Sequence, residues 1–458
     1  MTSSDGTSRL TIQSSTGPVY FRDCVFTGCA DTAIVFRGSQ DNPIGFTSCR
    51  IESCAVGFAT TSDEPTLELT DCVVRDVGDG LSLTAPYASH LAPAVSVTGM
   101  SFERVGTALR SVGPWRYDVV RSSITDCSGP AVNVQTREAR FTRLVVQRAA
   151  AGVLVEGVPS FTNSPHVFTG FLADSCDIRD VNGDALRVDA APATASGRVR
   201  VRYSTISNAD GAGVRLTARG ATVLGTLVSN TGGDGIVLQQ LAPATPDSIV
   251  GNTVALATGR GIAIERDSGV LASTALVSNN IAVFSGDAGI SVGAFATATV
   301  QQNDSWQNAL GDFANVAAPL VSNLSVNPAF CAVSTGDYTL QSGSPCAPSG
   351  MYGLIGALPV ACAASPVGVT PRSPALSLAV GPNPSLGGVR FALPKREDAG
   401  VIEVLDLAGR RVWSQEVAPH AESVEWSGRA NGARASGVFF ARLTQGGTRV
   451  TQRFVLMR

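Results

Sequence analysis

A tetrapeptide, a small residue followed by aliphatic-x-aliphatic, recurs along most of the chain. It reads Ala33-Ile34-Val35-Phe36, Gly80-Leu81-Ser82-Leu83, Ala131-Val132-Asn133-Val134, Gly152-Val153-Leu154-Val155 and Ala185-Leu186-Arg187-Val188. It continues at Gly213-Val214-Arg215-Leu216, Gly235-Ile236-Val237-Leu238, Gly261-Ile262-Ala263-Ile264 and Gly289-Ile290-Ser291-Val292, with weaker copies at Gly57-Phe58 and Ala108-Leu109. The copies are 21 to 33 residues apart, too irregular for a leucine-rich repeat and without its Leu and Asn signature. Each copy holds short β runs and no helical period. One copy cannot bury its own apolar face, so the repeat predicts a solenoid of about 12 turns whose strands hydrogen-bond to the same strands above and below.

Stacking predicts columns of like residues at the inter-strand spacing. Aligned on the strand before each tetrapeptide, Cys24, Cys49, Cys72 and Cys176 share one column, and Cys29, Cys54 and Cys127 share another five residues on. Met100 and Leu144, and Val77, Val105 and Val181, fill the same columns in other turns. These cysteines therefore read as small core residues rather than disulfides or metal ligands, since no CxxC pair is present. No metal or cofactor is expected.

Composition agrees with strands and tight turns: 48 glycines, and only 16% charged residues. The net charge of −3 argues against nucleic acid as the obligatory partner, which needs a basic excess. Lys395 is the only lysine among 34 basic residues, which excludes a catalytic lysine from the first 394 positions. No run of 18 apolar residues occurs, so no transmembrane helix is expected.

Turns such as Ser207 to Leu216 (SNADGAGVRL) and Ser229 to Leu238 (SNTGGDGIVL) resemble the right-handed parallel β-helix repeats of the pectate-lyase-like superfamily. That resemblance implies an all-β fold over residues 1–362, and it specifies architecture without specifying activity. Residues 326–362 look like the closing segment of exported bacterial β-helices. Cys331, Cys346 and Cys362 fall there, and one disulfide among them, of unassigned pairing, would suit an exported protein.

Residues 363–375 (AASPVGVTPRSPA) read as a linker, and 376–458 as a small antiparallel sandwich. Pro382-Asn383-Pro384, Asp406 to Arg410 with Gly409, Trp426-Ser427-Gly428 and the run from Ser436 through Gly437 to Leu443 resemble the type A sorting domain of type IX secretion. The Ig-like domain of flagellar hook-capping proteins is a near relative. Phe439, Arg453 and Arg458 depart from the usual residues without changing apolar or cationic character. The resemblance implies a chain read by secretion machinery and placed outside a bacterium, as a secreted or surface protein. Met1 to Leu10 has neither a basic nor an apolar stretch, so an export signal is expected upstream, the chain being truncated at its N-terminus.

Two outward columns are charged: Glu52, Arg75, Glu103, and beside it Asp76, Arg104, Asp126, Arg148, Asp180. Their signs alternate, as an ion-pair ladder requires. The same residues admit a catalytic reading, with Asp76 and Asp126 as paired carboxylates about 9.6 Å apart over two turns and Arg104 holding a uronate. That distance suits an inverting hydrolase more than a shared calcium ion. Most extra length follows the tetrapeptide strand, so those loops share one side. They are expected to bring Tyr87, His90, Trp115, Tyr117, Phe161 and His166 to one wall able to stack on sugars, or to fold back on themselves. Arg148, Arg179, Arg187, Arg198, Arg200, Arg202, Arg215 and Arg219 supply cations suited to anionic glycans. The expectation is a surface β-helix that binds glycan or other extracellular material without turnover, with a polysaccharide hydrolase or lyase as the alternative.

Overall fold

The computed structural model describes residues 10–13, 17–37, 42–60, 66–84, 94–158, 168–190, 197–241, 246–268, 270, 274–316, 322–363, 378–393, 398–430, 432–445 and 448–457. They fall into two compact units divided between residues 365 and 366.

The first unit is a parallel β-solenoid of about 13 turns. One turn shows the plan. Ile236–Gln240 lies in a first sheet, Asp247–Val250 in a second and Thr253–Ala257 in a third, before Ile262–Arg266 returns to the first in register with Ile236–Gln240. The tetrapeptides are the first sheet. Their leading residue is small because the next turn presses on it: a Cβ on Gly235 would meet the Gly261 carbonyl oxygen at 2.7 Å and a Val254 methyl at 2.3 Å.

Strand alternation sends every second side chain inward, where one continuous cluster runs from Ile12 to Ile290. Phe21 stacks on Phe46 at 4.9 Å, and Phe36 on Phe58 at 6.4 Å.

The third sheet is bounded on both sides by a left-handed residue. Before it stand Asp71 (φ 49°), Arg121 (48°), Arg143 (53°), Ser175 (56°) and Tyr203 (51°); at its far corner stand Asp76 (55°), Arg104 (52°), Asp126 (59°), Arg148 (55°), Asp180 (57°) and Asn208 (54°). The alternating charge column is therefore a column of corners.

The residue after the first corner points inward and meets the backbone N–H of the turn below. Cys49 N–H donates to Cys72 Sγ at 3.3 Å, Met100 N–H to Ser122 Oγ at 3.2 Å and Cys176 N–H to Ser204 Oγ at 3.1 Å. Farther along, Thr226, Asn252, Asn280 and Asn303 donate to the Oδ1 atoms of Asn252, Asn280, Asn303 and Asn323 at 2.9 to 3.0 Å. The cysteine column is thus more than apolar filler, because its sulfur accepts a buried N–H that the oxygens accept elsewhere. Burial pushes the thiols of Cys72 and Cys176 up to about 11.

The closing segment packs on the outer side of the third sheet. Phe330, Tyr338, Leu340, Cys346 and Ile355 cluster with Ala255, Ile281 and Val283. Cys331 and Cys362 form the disulfide, and Cys346 stays a buried thiol.

The second unit has a three-stranded and a four-stranded antiparallel sheet, which bury one cluster around Phe391, Val404, Trp426, Leu443 and Phe454. Asn383 Oδ1 accepts from Val455 N at 2.8 Å, between Pro382 and Pro384. Asp406 Oδ1 accepts from the N–H groups of Ala408 and Arg410 at 2.9 Å, and Gly409 takes φ 76°. Its other oxygen meets Arg410 Nε at 2.8 Å. Trp426 Nε1 donates to Arg429 O at 3.0 Å, and Gly437 has φ 121°. The linker from 364 on lies outside the described residues.

Candidate functional site

Trp115 and Tyr117 do not form an exposed wall. Ser101–Val120 is one continuous strand through two corners, so SVGPWRYD is strand and not an excursion. Its alternation sends Tyr117 and Val119 inward with Arg116 and Asp118 outward, leaving Trp115 0% and Tyr117 2% exposed. Trp115 Nε1 donates to Val112 O at 3.3 Å. Burial pushes the Tyr117 phenol far above its usual range. Tyr87, His90, Phe161 and His166 lie outside the described residues.

The corner column forms closed ion pairs. Arg104 grips Asp76 through Nε at 2.7 Å and an Nη at 2.8 Å, and Arg148 grips Asp126 at 2.5 and 2.9 Å. Asp180 accepts from Asn208 at 2.8 Å. The hydrogen bonds from Arg104 and Arg148 hold the carboxyls of Asp76 and Asp126 below the usual carboxylate range. A general acid needs the opposite, a carboxyl raised toward neutrality. Arg104 stands paired between the two aspartates, and its geometry is that of a ladder rung.

Arg179 lies on the third sheet, 3.7 Å from Asp177. Arg187 and Arg215 stack in the first sheet, the latter 3.6 Å from Asp184, and Arg219 follows that strand. None of these joins the second sheet's outer face.

That face carries an excess of arginine. Arg198–Arg202 reads RVRVR, with Val199 and Val201 inward and all three arginines outward. Register places Gly170 between Glu138 and Arg198, and Leu172 between Arg140 and Arg200. The missing side chain at Gly170 opens a notch of about 340 Å³ lined by Glu138, Arg140, Gly170, Leu172, Arg198 and Arg200. Glu138 is held by Arg116 at 3.3 Å and Arg140 at 2.7 Å, and Asp174 by Arg202 at 2.7 Å. Arg198 and Arg200 have no carboxylate partner among the described residues.

Over these four turns, residues 116–121, 137–143, 170–174 and 198–202 carry Arg116, Arg121, Arg137, Arg140, Arg143, Arg198, Arg200 and Arg202 against Asp118, Glu138 and Asp174. Of the arginines expected to bind, Arg198, Arg200 and Arg202 lie here. Arg116, Arg140 and the Gly170 notch were not foreseen, although aligning the strand before each first corner would have placed Arg116 in the column of Gly170 and Arg198, and Arg140 in the neighbouring column of Leu172 and Arg200.

The fold so defined is the right-handed β-helix repeat: the family described as "Right handed beta helix region" matches residues 112–305. Among solved structures, the chain is similar to the A-module of the mannuronan C-5 epimerase AlgE6 of Azotobacter vinelandii, at 13% identity and TM-score 0.33, covering 70% of this chain and 91% of that one. It is also similar to the tailspike receptor binding domain of Siphovirus 9NA, at 9% identity and TM-score 0.26, covering 97% of this chain and 95% of that one. No curated protein matches the sequence.

Proposed function

We propose that the solenoid binds an acidic polysaccharide along the outer face of its second sheet, without turnover. The observation that carries this reading is the excess of arginine over acid on four successive turns of a chain with net charge −3, with Arg198 and Arg200 unpaired by any described carboxylate around the notch. Guanidinium groups recognise carboxylate and sulfate in fork geometry, and a flat solenoid face presents them at strand spacing to an extended polymer. The binding set is Arg140, Arg198, Arg200 and Arg202. Asp76, Arg104 and Asp126 serve register in this reading, and the hydrolase alternative finds no free acid in them.

We further propose that residues 376–458 form an Ig-like secretion-sorting module that places the solenoid outside a bacterial cell. The order of its turn motifs and its two sheets around one cluster support this.

The binding reading is tested by retention on polygalacturonate and alginate beside neutral glucan, scored together with new reducing ends and unsaturated products. Retention on the acidic polymers only, weakening with salt and reduced on the order of tenfold in the Arg198→Ala/Arg200→Ala variant, with no product formed, is expected. Product formation lost in Asp126→Asn would establish the enzyme instead.

A further inference from the structure

Resting on that reading, we propose that Tyr203 is a saccharide-stacking platform which, with Arg200 and Arg202, forms a subsite for a uronate ring and makes the arginine face selective for sugar over other polyanions.

Tyr203 directly follows the RVRVR strand, at the corner where the second sheet passes into the third. Its backbone is left-handed, φ 51°, a conformation costly for a bulky side chain. The equivalent corners carry Asp71, Ser175, Gly225, Gly251 and Asn279, which are small or tolerate that region readily, and the long flexible Arg121, Arg143 and Gln302. Among the described corners of this column Tyr203 alone places an aromatic ring there. The backbone accepts the position through Tyr203 N–H to Leu224 O at 2.9 Å.

The next turn accommodates the ring. Gly225 lies directly above, and a Cβ there would fall 2.8 Å from Tyr203 Cδ1 and 3.0 Å from Cε1. The ring thus occupies the space a side chain at Gly225 would fill, supported by backbone on one side. It is still 59% exposed, so an apolar face is held open to water beside a cationic strip. A tyrosine kept only for packing would be turned inward, as Tyr117 is.

A pyranose ring presents C–H groups to such a face, while its carboxylate reaches the guanidinium groups of Arg200 and Arg202. Inorganic polyphosphate offers charge but no ring. The platform therefore separates sugar polymers from simple polyanions where arginines alone do not.

Tyr20 supplies an internal control. It is 56% exposed and lies over Gly45 in the same manner, but in its column the following side chain is Glu68, and the arginine turns lie farther along.

The test measures binding of the full chain to polygalacturonate and to inorganic polyphosphate. Tyr203→Ala should weaken polygalacturonate binding about tenfold, equivalent to ~1.4 kcal/mol, and leave polyphosphate binding unchanged. Tyr203→Trp should restore it, and Tyr20→Ala should change neither. Equal losses for both ligands in Tyr203→Ala, or no loss for either, would overturn the platform while leaving the arginine face intact, provided Arg198→Ala/Arg200→Ala weakens both. If wild-type protein binds polyphosphate but not polygalacturonate, the platform and the polysaccharide reading both fall.

Discussion

Asn280 shows how one position after a left-handed corner decides the local chemistry. Its Oδ1 accepts from the backbone N–H and the Nδ2 of Asn252, both at 2.9 Å, and its own Nδ2 donates to Ile249 O at 2.8 Å and Asn303 Oδ1 at 2.9 Å. All of this is buried. Asn280→Ala leaves the Asn252 N–H without its acceptor and opens a hole the size of an amide, so a loss of about 2 to 4 kcal/mol is expected in denaturant unfolding. Cys72 occupies the same column with a weaker acceptor, and Ser122 and Ser204 already fill it in other turns. Cys72→Ser should therefore change stability by less than about 1 kcal/mol, the serine accepting the Cys49 N–H as Ser122 accepts that of Met100. A loss as large as that of Asn280→Ala would mean the column is apolar packing after all.

At the scale of elements, the closing segment is docked by a buried acid. Asp304 is 0% exposed; its Oδ1 accepts from Val326 N at 3.1 Å and its Oδ2 from the Cys346 thiol at 3.1 Å. Burial raises its carboxyl to about 6, against a model-peptide value of 3.8, with Asp312 adding to the rise and the bonds from Val326 and Cys346 opposing it. The folded state thus binds the proton more tightly than the unfolded state. Stability is greatest below pH 3.8 as far as this group is concerned and is lost as pH rises through about 6, with a total of about 3 kcal/mol at stake. Unfolding of the wild type between pH 4 and 7.5 should show that fall, and Asp304→Asn should flatten it; an unchanged slope would assign the dependence elsewhere. None of this docking was legible in the sequence, because a lone Asp in a repeat gives no sign of what later folds over it. The stacking itself was legible, since the tetrapeptides, the cysteine columns and the alternating corner charges are each set by contacts one turn away. Trp115 and Tyr117 were misplaced for a related reason: the extra length after the tetrapeptide strand read as a loop, yet Ser101–Val120 continues as strand, with a register irregularity at Trp115, and turns both rings inward. The arginine strip was half legible, because Arg198, Arg200 and Arg202 alternate within one strand, whereas Arg140 and the gap at Gly170 join them only through register.

At the scale of the whole molecule, the described residues form three apolar clusters: one threaded along the solenoid, one between its third sheet and the closing segment, and one shared by the two small C-terminal sheets, with the division of the chain at residue 365. A solenoid turn is stabilised by its neighbours along the axis, and each cluster is made of residues of one unit. Each unit therefore has the means to fold alone. Removing residues 366–458 should leave the solenoid's thermal transition and its retention on polygalacturonate unchanged, since every residue of the arginine face and its supporting turns remains. If the proposed sorting role is right, the same deletion abolishes export in a bacterium that carries type IX secretion, and the shortened protein accumulates inside the cell in folded form. The two readouts separate the two roles. Loss of retention on deletion would move part of the binding surface into the C-terminal unit, whereas undiminished export would leave that unit as a spacer and require the export signal to lie elsewhere in the gene.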